Sequence, residues 1–382
     1  MRPQELNRVS SAQDGADSPR ARTRRAAGSV RAARSRDRRV YLYSHPVIFA
    51  LLAATRWRAA VRLGRTVIVH DTDAYREALT DVQLDRLDDR TTGGMARALS
   101  QGGVLFDQDG SNHKDTRRVL ASRLGAEGVE KLRPVWRALL DCRLEPLGRG
   151  GHVDMVTVAG ELAATTACAL LNTDADPQAV ASAAASLAYA AVRTQLPGLR
   201  SRPAAREASR LSALLGTSDA QVAMLAVAAV NTTVAALPRA VAWCADAGLW
   251  DQAADDWLRG SLTDELLRGI APSPLLPRVA ATANTVGGNR VRPGDRLILV
   301  SRHASRAHSD PPNALHPAKA SVAHLVFGAG PHTCPGGRLA RAQLADTLAA
   351  LAQYHPTVVR ARVNHRAALP GWRSLIISAD RQ

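Results

Sequence analysis

Apolar positions recur with a helical period over most of the chain. Alanine-rich stretches from Glu127 to Leu147, Met155 to Leu171, Pro177 to Thr194 and Arg206 to Leu215 each read as helices, and Leu339, Leu344, Leu348 and Leu351 mark another near the C-terminus. A longer helix is expected from Ser218 to Ala247. Its apolar run, Val222 to Val230, is interrupted by Asn231-Thr232-Thr233, and Pro238 is expected to kink or weaken it. Strand patterns are few: Ala60 to His70, Asn289 to Val300 with Leu297 to Val300 at its end, and Ser374 to Ser378. The pattern predicts a mainly α protein with a small β-rich lobe. Val47 to Ala54 is apolar but too short to cross a bilayer.

Composition changes this picture at one end. The 382 residues, 46% of them hydrophobic, suffice for one large domain. Residues 1–39 differ in kind, with eleven arginines and four acids that hold +7 of the chain's +16. They lack apolar periodicity, so 1–39 is expected to be a disordered, solvated extension rather than a nucleic-acid or lipid contact, and 40–382 the folded domain. The extension also lacks the apolar core of a signal peptide. Cys142, Cys168 and Cys244 fall within expected helices without metal-type spacing and read as buried free thiols, which suits a reducing cytoplasm. His303, His308, His316 and His324 are spaced so that no two share a helical turn, which argues against a metal cluster.

The fourth cysteine stands apart. Phe327-Gly-Ala-Gly-Pro-His-Thr-Cys-Pro-Gly-Gly337 sets Cys334 in a glycine-lined turn that opens a helix. Free N–H groups and the helix dipole there are expected to lower the thiol's pKa. A dinucleotide loop would need a third glycine and no Pro-His-Thr-Cys run, and a zinc site would need further ligands nearby. The spacing Phe-Gly-x-Gly-x-His-x-Cys-x-Gly resembles the haem-binding loop of the cytochrome P450 family. The resemblance implies a single helical domain holding haem b, with Cys334 as the iron's thiolate ligand and Phe327, Gly328 and Gly336 shaping the loop. Pro335 has no N–H to give the sulfur, so Gly336 and Gly337 are the expected donors.

Other segments resemble the family in the same order. Glu265-Leu-Leu-Arg268 has the spacing of its Glu-x-x-Arg helix, an ion pair that braces the loop beneath the haem. His113-Lys-Asp-Thr-Arg117 matches its His-x-x-x-Arg helix, and i, i+4 spacing puts both side chains on one face. With Arg278 and His332 at family positions, four groups are expected to converge on two haem propionates, which are costly to bury unpartnered.

Departures lie on the distal side and before the loop. Where the family has Ala-Gly-x-acid-Thr, this chain has Ala228-Ala-Val-Asn-Thr232. By resemblance Thr232 organises oxygen activation, while Asn231 replaces the proton-relaying acid with an amide that does not ionise. Leu315 and Lys319 replace an aromatic residue and an arginine, so the brace at Glu265 and Arg268 is expected to be looser or differently built. The region between Pro197 and Ser218 is brief for the family, which implies a small or open lid. Leu225, Ala228, Ala229, Leu275, Leu276 and Trp372 stand at positions that line family pockets.

The resemblance thus implies a cytoplasmic oxidoreductase that activates dioxygen to hydroxylate or otherwise oxidise a medium-sized apolar or mixed-polarity metabolite, in secondary metabolism. Electrons would come from a separate ferredoxin and ferredoxin reductase docking near Arg338 and Arg341, with no nucleic acid bound and no membrane insertion. Oxidative coupling or cyclisation, peroxide-driven chemistry, and a non-catalytic haem sensor or ligand-presenting protein are the alternatives.

Overall fold

The computed structural model describes residues 19–100, 102–194 and 204–380. The chain begins in two helices, α1 (Pro19–Ser44) and α2 (Pro46–Thr55), and turns into a hairpin of β1 (Ala60–Leu63) and β2 (Thr66–Val69). Gly64, at φ +58°, makes that turn, which is why one strand-like stretch from Ala60 to His70 becomes two strands. There follow α3 (Thr72–Thr80), β3 (Leu84–Asp85), α4 (Thr92–Ser100), α5 (Gly110–Leu124), α6 (Ala126–Gly148), β4 (His152–Asp154), α7 (Met155–Leu171) and α8 (Pro177–Thr194). Next come α9 (Ala204–Leu214), α10 (Ala220–Ala247), α11 (Trp250–Ala254), α12 (Asp256–Ile270), β5 (Leu276–Ala280), β6 (Asn284–Val286), β7 (Asn289–Val291) and β8 (Arg296–Leu299). The chain closes with the short helices α13 (Ser301–Ala304) and α14 (Ala320–Ala323), then α15 (Gly337–Ala352), β9 (Thr357–Val363) and β10 (Trp372–Ser378). Of the expected lid between 197 and 218, α9 is the described helix, and part of that stretch lies outside the described residues.

The small lobe is a sheet ordered β1-β2-β8-β5-β3, in which β2 and β8 run parallel and the other pairs antiparallel. Tyr75, Ala74 and Ala78 of α3 pack into its core with Val67, Val69, Leu297 and Leu299. The helical body is built on α6, α7, α10, α12 and α15, whose apolar stripes meet in one cluster. Within it Trp136 is fully buried and donates from Nε1 to Asp346 Oδ2 at 2.9 Å. Burial alone would raise the Asp346 pKa, but hydrogen bonds from Arg133, Arg137 and Trp136 hold it at about 2, so this carboxylate stays ionised and ties α6 to α15.

Helix α10 runs unbroken through Pro238. The Asp219 side chain caps its start by accepting from Gln221 N, and Gly248, in the left-handed region, ends it. It is the helix among the described residues long and apolar enough to cross a membrane, yet it packs inside the body against α7, α8 and α1. Ala223, Met224, Ala226 and Val230 face the α7–α8 side. Leu225, Ala228 and Ala229 lie on another face, half-exposed and outside the packed clusters, and Thr232 continues that stripe.

Helix α1 departs from the expected unstructured segment over residues 19–39, while residues 1–18 of that segment lie outside the described residues. From Pro19 onward the chain is helical, and Ala33, Asp37, Val40 and Tyr41 form a buried stripe facing the body. Asp37 Oδ1 receives Arg239 Nε at 2.8 Å and Nη2 at 2.6 Å, while Arg302 reaches Asp37 Oδ2 at 3.3 Å. Tyr41 donates to the Ile270 carbonyl, accepts from Arg239 Nη2 at 2.5 Å, and lies beneath the Arg302 guanidinium at 3.9 Å. Of the arginines that suggested a solvated tail, Arg31, Arg38 and Arg39 lie exposed on other faces of this helix and Arg34 and Arg36 are half-buried. Cys168 and Cys244 are buried free thiols, but Cys142 is exposed because its face of α6 looks outward.

Beneath the small lobe, His70 Nδ1 and His303 Nδ1 lie 2.8 Å apart, so one must donate and the other accept. Burial first, then the charges of His70, His308, Arg302 and Arg56 on His303 and of His308 on His70, push the two pKa values down to about 3 and about 4. Folded values below the ordinary 6.5 mean that the stability is full above about pH 6.5 and is lost as pH falls through 4 and then 3. Urea titrations should show that loss, on the order of 1–3 kcal/mol between pH 6.5 and 4. His303→Gln should flatten it, and an unchanged slope in that variant would exclude the pair as its source.

Candidate active site

The chain enters the cysteine loop through a short 3-10 turn, His324–Phe327, and leaves it into α15. Gly328 and Gly330 take φ of +82° and +72°, conformations a side chain resists. A Cβ at Gly330 would also stand 3.3 Å from the Leu79 carbonyl, so the loop lies directly on α3. Cys334 N donates to the Phe327 carbonyl at 2.8 Å and closes the loop. The Phe327 ring seals against Gly337, where a Cβ would meet it at 3.3 Å.

Two backbone N–H groups, from Gly336 and Gly337, turn toward the Cys334 sulfur, as expected once Pro335 is excluded as a donor. The thiol's pKa is nevertheless raised. Burial outweighs the Gly336 N–H, the Arg117 charge and the Gly337 N–H, so the dipole-based expectation of a lowered value does not hold for the protein alone. A coordinated metal cation reverses that balance by deprotonating the thiol outright. The Cys334 side chain is exposed although protein surrounds it closely enough for burial to dominate its ionisation, which is the environment of a recess.

The Glu265–Arg268 pair lies buried behind the loop. Arg268 donates from Nε and Nη2 to Glu265 Oε1 and Oε2 at 2.8 and 2.6 Å, and reaches the carbonyls of Ser305 at 3.1 Å and Asp310 at 3.2 Å. Glu265 also accepts from the backbone N–H of Ala318 at 2.9 Å and Asn313 at 3.3 Å. Lys319 is exposed and Leu315 points outward, so the brace is built differently rather than loosened: backbone N–H groups occupy the carboxylate.

On α5, His113 is buried, and its ring lies 3.8 Å from that of His332. Arg117, one turn on, donates from Nη1 to the Thr333 carbonyl at 2.5 Å, beside Cys334. Arg278, on β5, reaches only its neighbour's carbonyl, Pro277 O, at 2.8 Å, and its buried Nε has no partner. His113, His332 and Arg117 are therefore brought together at the loop, and Arg278 is linked to them through Arg86, whose charge acts on Arg278, His113 and His332 alike. Burial, then Arg86, depress the Arg278 pKa to about 10, and burial, Arg86 and His113 depress that of His332 to about 4. His332 has Asp109 at 3.6 Å, a carboxylate with no place in the sequence reading. Arg86, half-buried with a buried Nε, was also missed, since nothing near it in the sequence marks it as part of the site. These crowded, partly orphaned donors fit a group bearing two carboxylates, and the recessed Cys334 with its convergent N–H donors fits an iron above it.

The distal and outer residues divide differently. Thr232 Oγ1 donates to the Ala228 carbonyl at 2.8 Å, a bond to its own helix, and its side chain is exposed. Asn231 donates from Nδ2 to the carbonyls of Val227 at 2.8 Å and Ala184 at 3.2 Å, which binds α10 to α8 and takes Asn231 out of a relay role. Leu275 packs against Leu52, Ile68 and Val300, Leu276 joins the small-lobe core, and Trp372 is buried in the main core. These three leave the expected pocket lining to Leu225, Ala228 and Ala229. Arg341 is paired with Asp264 at 2.5 and 2.8 Å, which leaves Arg338 as the exposed cation behind the loop.

Residues 261–356, which contain both the Glu265–Arg268 pair and the Cys334 loop, match the family model described as Cytochrome P450. Over that stretch the chain is similar to the cytochrome P450 family. It is 34% identical over 106 residues to cytochrome P-450 monooxygenase DoxA of Streptomyces peucetius subsp. caesius, covering 27% of this chain and 25% of that protein. Identity to cytochrome P450 105A3 of Streptomyces carbophilus is 27% over 330 residues, 77% of this chain and 80% of that one. The high-identity match thus spans about a quarter of the relative's length. The fold superposes on a mutant of P450 EryK in complex with erythromycin B with a TM-score of 0.69, at 20% identity, over 89% of this chain and 99% of that one. The P450 fold therefore extends well beyond the stretch that matches the family model.

Proposed function

We propose that this protein is a haem-thiolate oxidoreductase that activates dioxygen to hydroxylate or otherwise oxidatively tailor a medium-sized apolar or mixed-polarity metabolite. The observation that carries this reading is the convergence of a recessed Cys334 with Arg278, Arg117, His113 and His332. Bound haem, with its iron on the Cys334 sulfur, would supply the oxygen-activating chemistry, because a thiolate ligand favours cleavage of the O–O bond. The chain's own part is positional. Arg117, Arg278, His113 and His332 would hold the propionates, Gly336 and Gly337 direct N–H groups at the sulfur, and Leu225, Ala228 and Ala229 would offer an aliphatic wall. A relative named as a monooxygenase and a structural neighbour bound to erythromycin B support a secondary metabolite as substrate. Electrons would come from a separate ferredoxin and its reductase, docking near Arg338, with the protein in the cytoplasm.

Asn231 favours a second reading. Its amide is committed to α8, so a reaction that needs no relay acid beside Thr232, such as oxidative coupling or peroxide-supported oxidation, suits the helix better than ordinary hydroxylation. Product formed per reductant consumed separates the two once a substrate is found. Thr232→Ala should divert reductant to peroxide if the chain hydroxylates and leave the ratio unchanged if it couples. Asn231→Asp should restore no relay. It would set a carboxylate against two carbonyls and cost about 1–3 kcal/mol of stability. A stable Asn231→Asp variant with improved coupling would contradict the geometry.

A further inference from the structure

Arg86 belongs to none of the motifs that identify the site, yet the fold fixes it there. The Asp85 carboxylate accepts from the N–H groups of Leu87 at 2.8 Å and Asp88 at 3.2 Å, and locks the turn after β3. Thr91 Oγ1 donates to the Arg86 carbonyl at 3.2 Å. A Cβ at Gly93 would stand 2.3 Å from that same carbonyl, so α4 begins in contact with the Arg86 backbone. From this anchored position the guanidinium acts electrostatically on Arg278, His113, His332 and Asp109. Its Nε is buried without a partner, as is that of Arg278.

Buried guanidinium groups side by side are unfavourable unless an anion answers them. Arg86, Arg117 and Arg278 bring three positive charges to the site and Asp109, an exposed carboxylate that acts on Arg86 and His332, one negative charge, which leaves two positive charges over. Two propionates would cancel them. Without Arg86 the same cluster would keep one positive charge against two propionates, and the loaded site would be net negative.

We propose that Arg86 is a direct ligand of the haem propionates, supplied by the segment between β3 and α4, with Asp109 its balancing charge; this rests on the haem-thiolate reading above. The test is the rate at which the holoprotein gives up its haem to an excess of apomyoglobin, measured with protohaem and with haem dimethyl ester, whose propionates are blocked. Arg86→Met should speed protohaem loss about 10- to 100-fold, the strength of a hydrogen bond between charged groups, and leave loss of the ester nearly unchanged. Arg86→Lys should fall between. Equal protohaem loss from parent and Arg86→Met overturns the proposal, and so does an equal acceleration for both haems, which would mark a merely structural residue. Restored retention in Arg86→Met/Asp109→Asn also overturns it, since Arg86 would then only neutralise Asp109. Failure of the parent to take up either haem refutes the haem reading itself, an outcome separate from all of these.

Discussion

Glu265→Ala is expected to destabilise the protein by about 3–5 kcal/mol, because it strands a buried guanidinium that the native fold pairs twice over. Arg268 is nearly inaccessible, and the carbonyls of Ser305 and Asp310 that it also touches cannot neutralise it. The Asn313 and Ala318 N–H groups lose their acceptor in the same change. A loss of this size is a large share of the 5–15 kcal/mol typical of a folded domain. It also falls on the segment that carries the chain from α13 to the cysteine loop, so haem content should drop with stability. Arg268→Met should cost a similar amount, and the double variant less than the two together, because the groups share one interaction. Urea unfolding of the three variants decides this. Near-additive losses would show that the pair does not act as a unit.

Asp37→Ala should cost a comparable amount, from a residue that charge pattern alone would place in a solvated tail. Arg239 is buried on α10, and Asp37 supplies its carboxylate while also answering Arg302. Removing it leaves two guanidinium groups facing each other around Tyr41, which points to a loss of about 3–5 kcal/mol. Asp37→Asn should retain part of that, since an amide oxygen still accepts one hydrogen bond. Because α1 packs along α10, which also carries Thr232, the loss should loosen the distal side. Hydrogen exchange along α10 should rise in Asp37→Ala, whereas melting and exchange matching the parent would mean that α1 is dispensable.

Much of this was legible because helical period is a local signal. The bounds of α7 and α8 follow from it, and the Cys334 loop and the Glu265–Arg268 pair are contiguous motifs whose spacing carries their geometry. The same period is present in α1, at Ala33, Asp37, Val40 and Tyr41, but one member of the stripe is an acid whose partner lies on α10. A buried ion pair between distant segments has no sequence signature, so the charge pattern of the many arginines around Asp37 outweighs it. Arg86 and Asp109 were hidden for the same reason, being drawn into the site by the turn after β3 and by the start of α5. Asn231 shows a different limit. Its place in the sequence set a non-ionising amide where the family has a relay acid, while its hydrogen bonds to the carbonyls of Val227 and Ala184 commit it to packing. Lys319 and Leu315 were legible as departures, but the replacement brace from backbone N–H groups was not, since every residue but proline carries one.

On the proposed reading, Cys334 holds the haem iron as a thiolate. The measurement that tests it most directly is the carbon monoxide difference spectrum of the reduced holoprotein, compared with that of Cys334→Ser. The parent should show the long-wavelength Soret band of a thiolate-ligated haem. The variant should lose that band, while serine substitutions at Cys142, Cys168 and Cys244 keep it. A thiolate-type band that survives in Cys334→Ser, or is missing from a haem-loaded parent, would contradict the account.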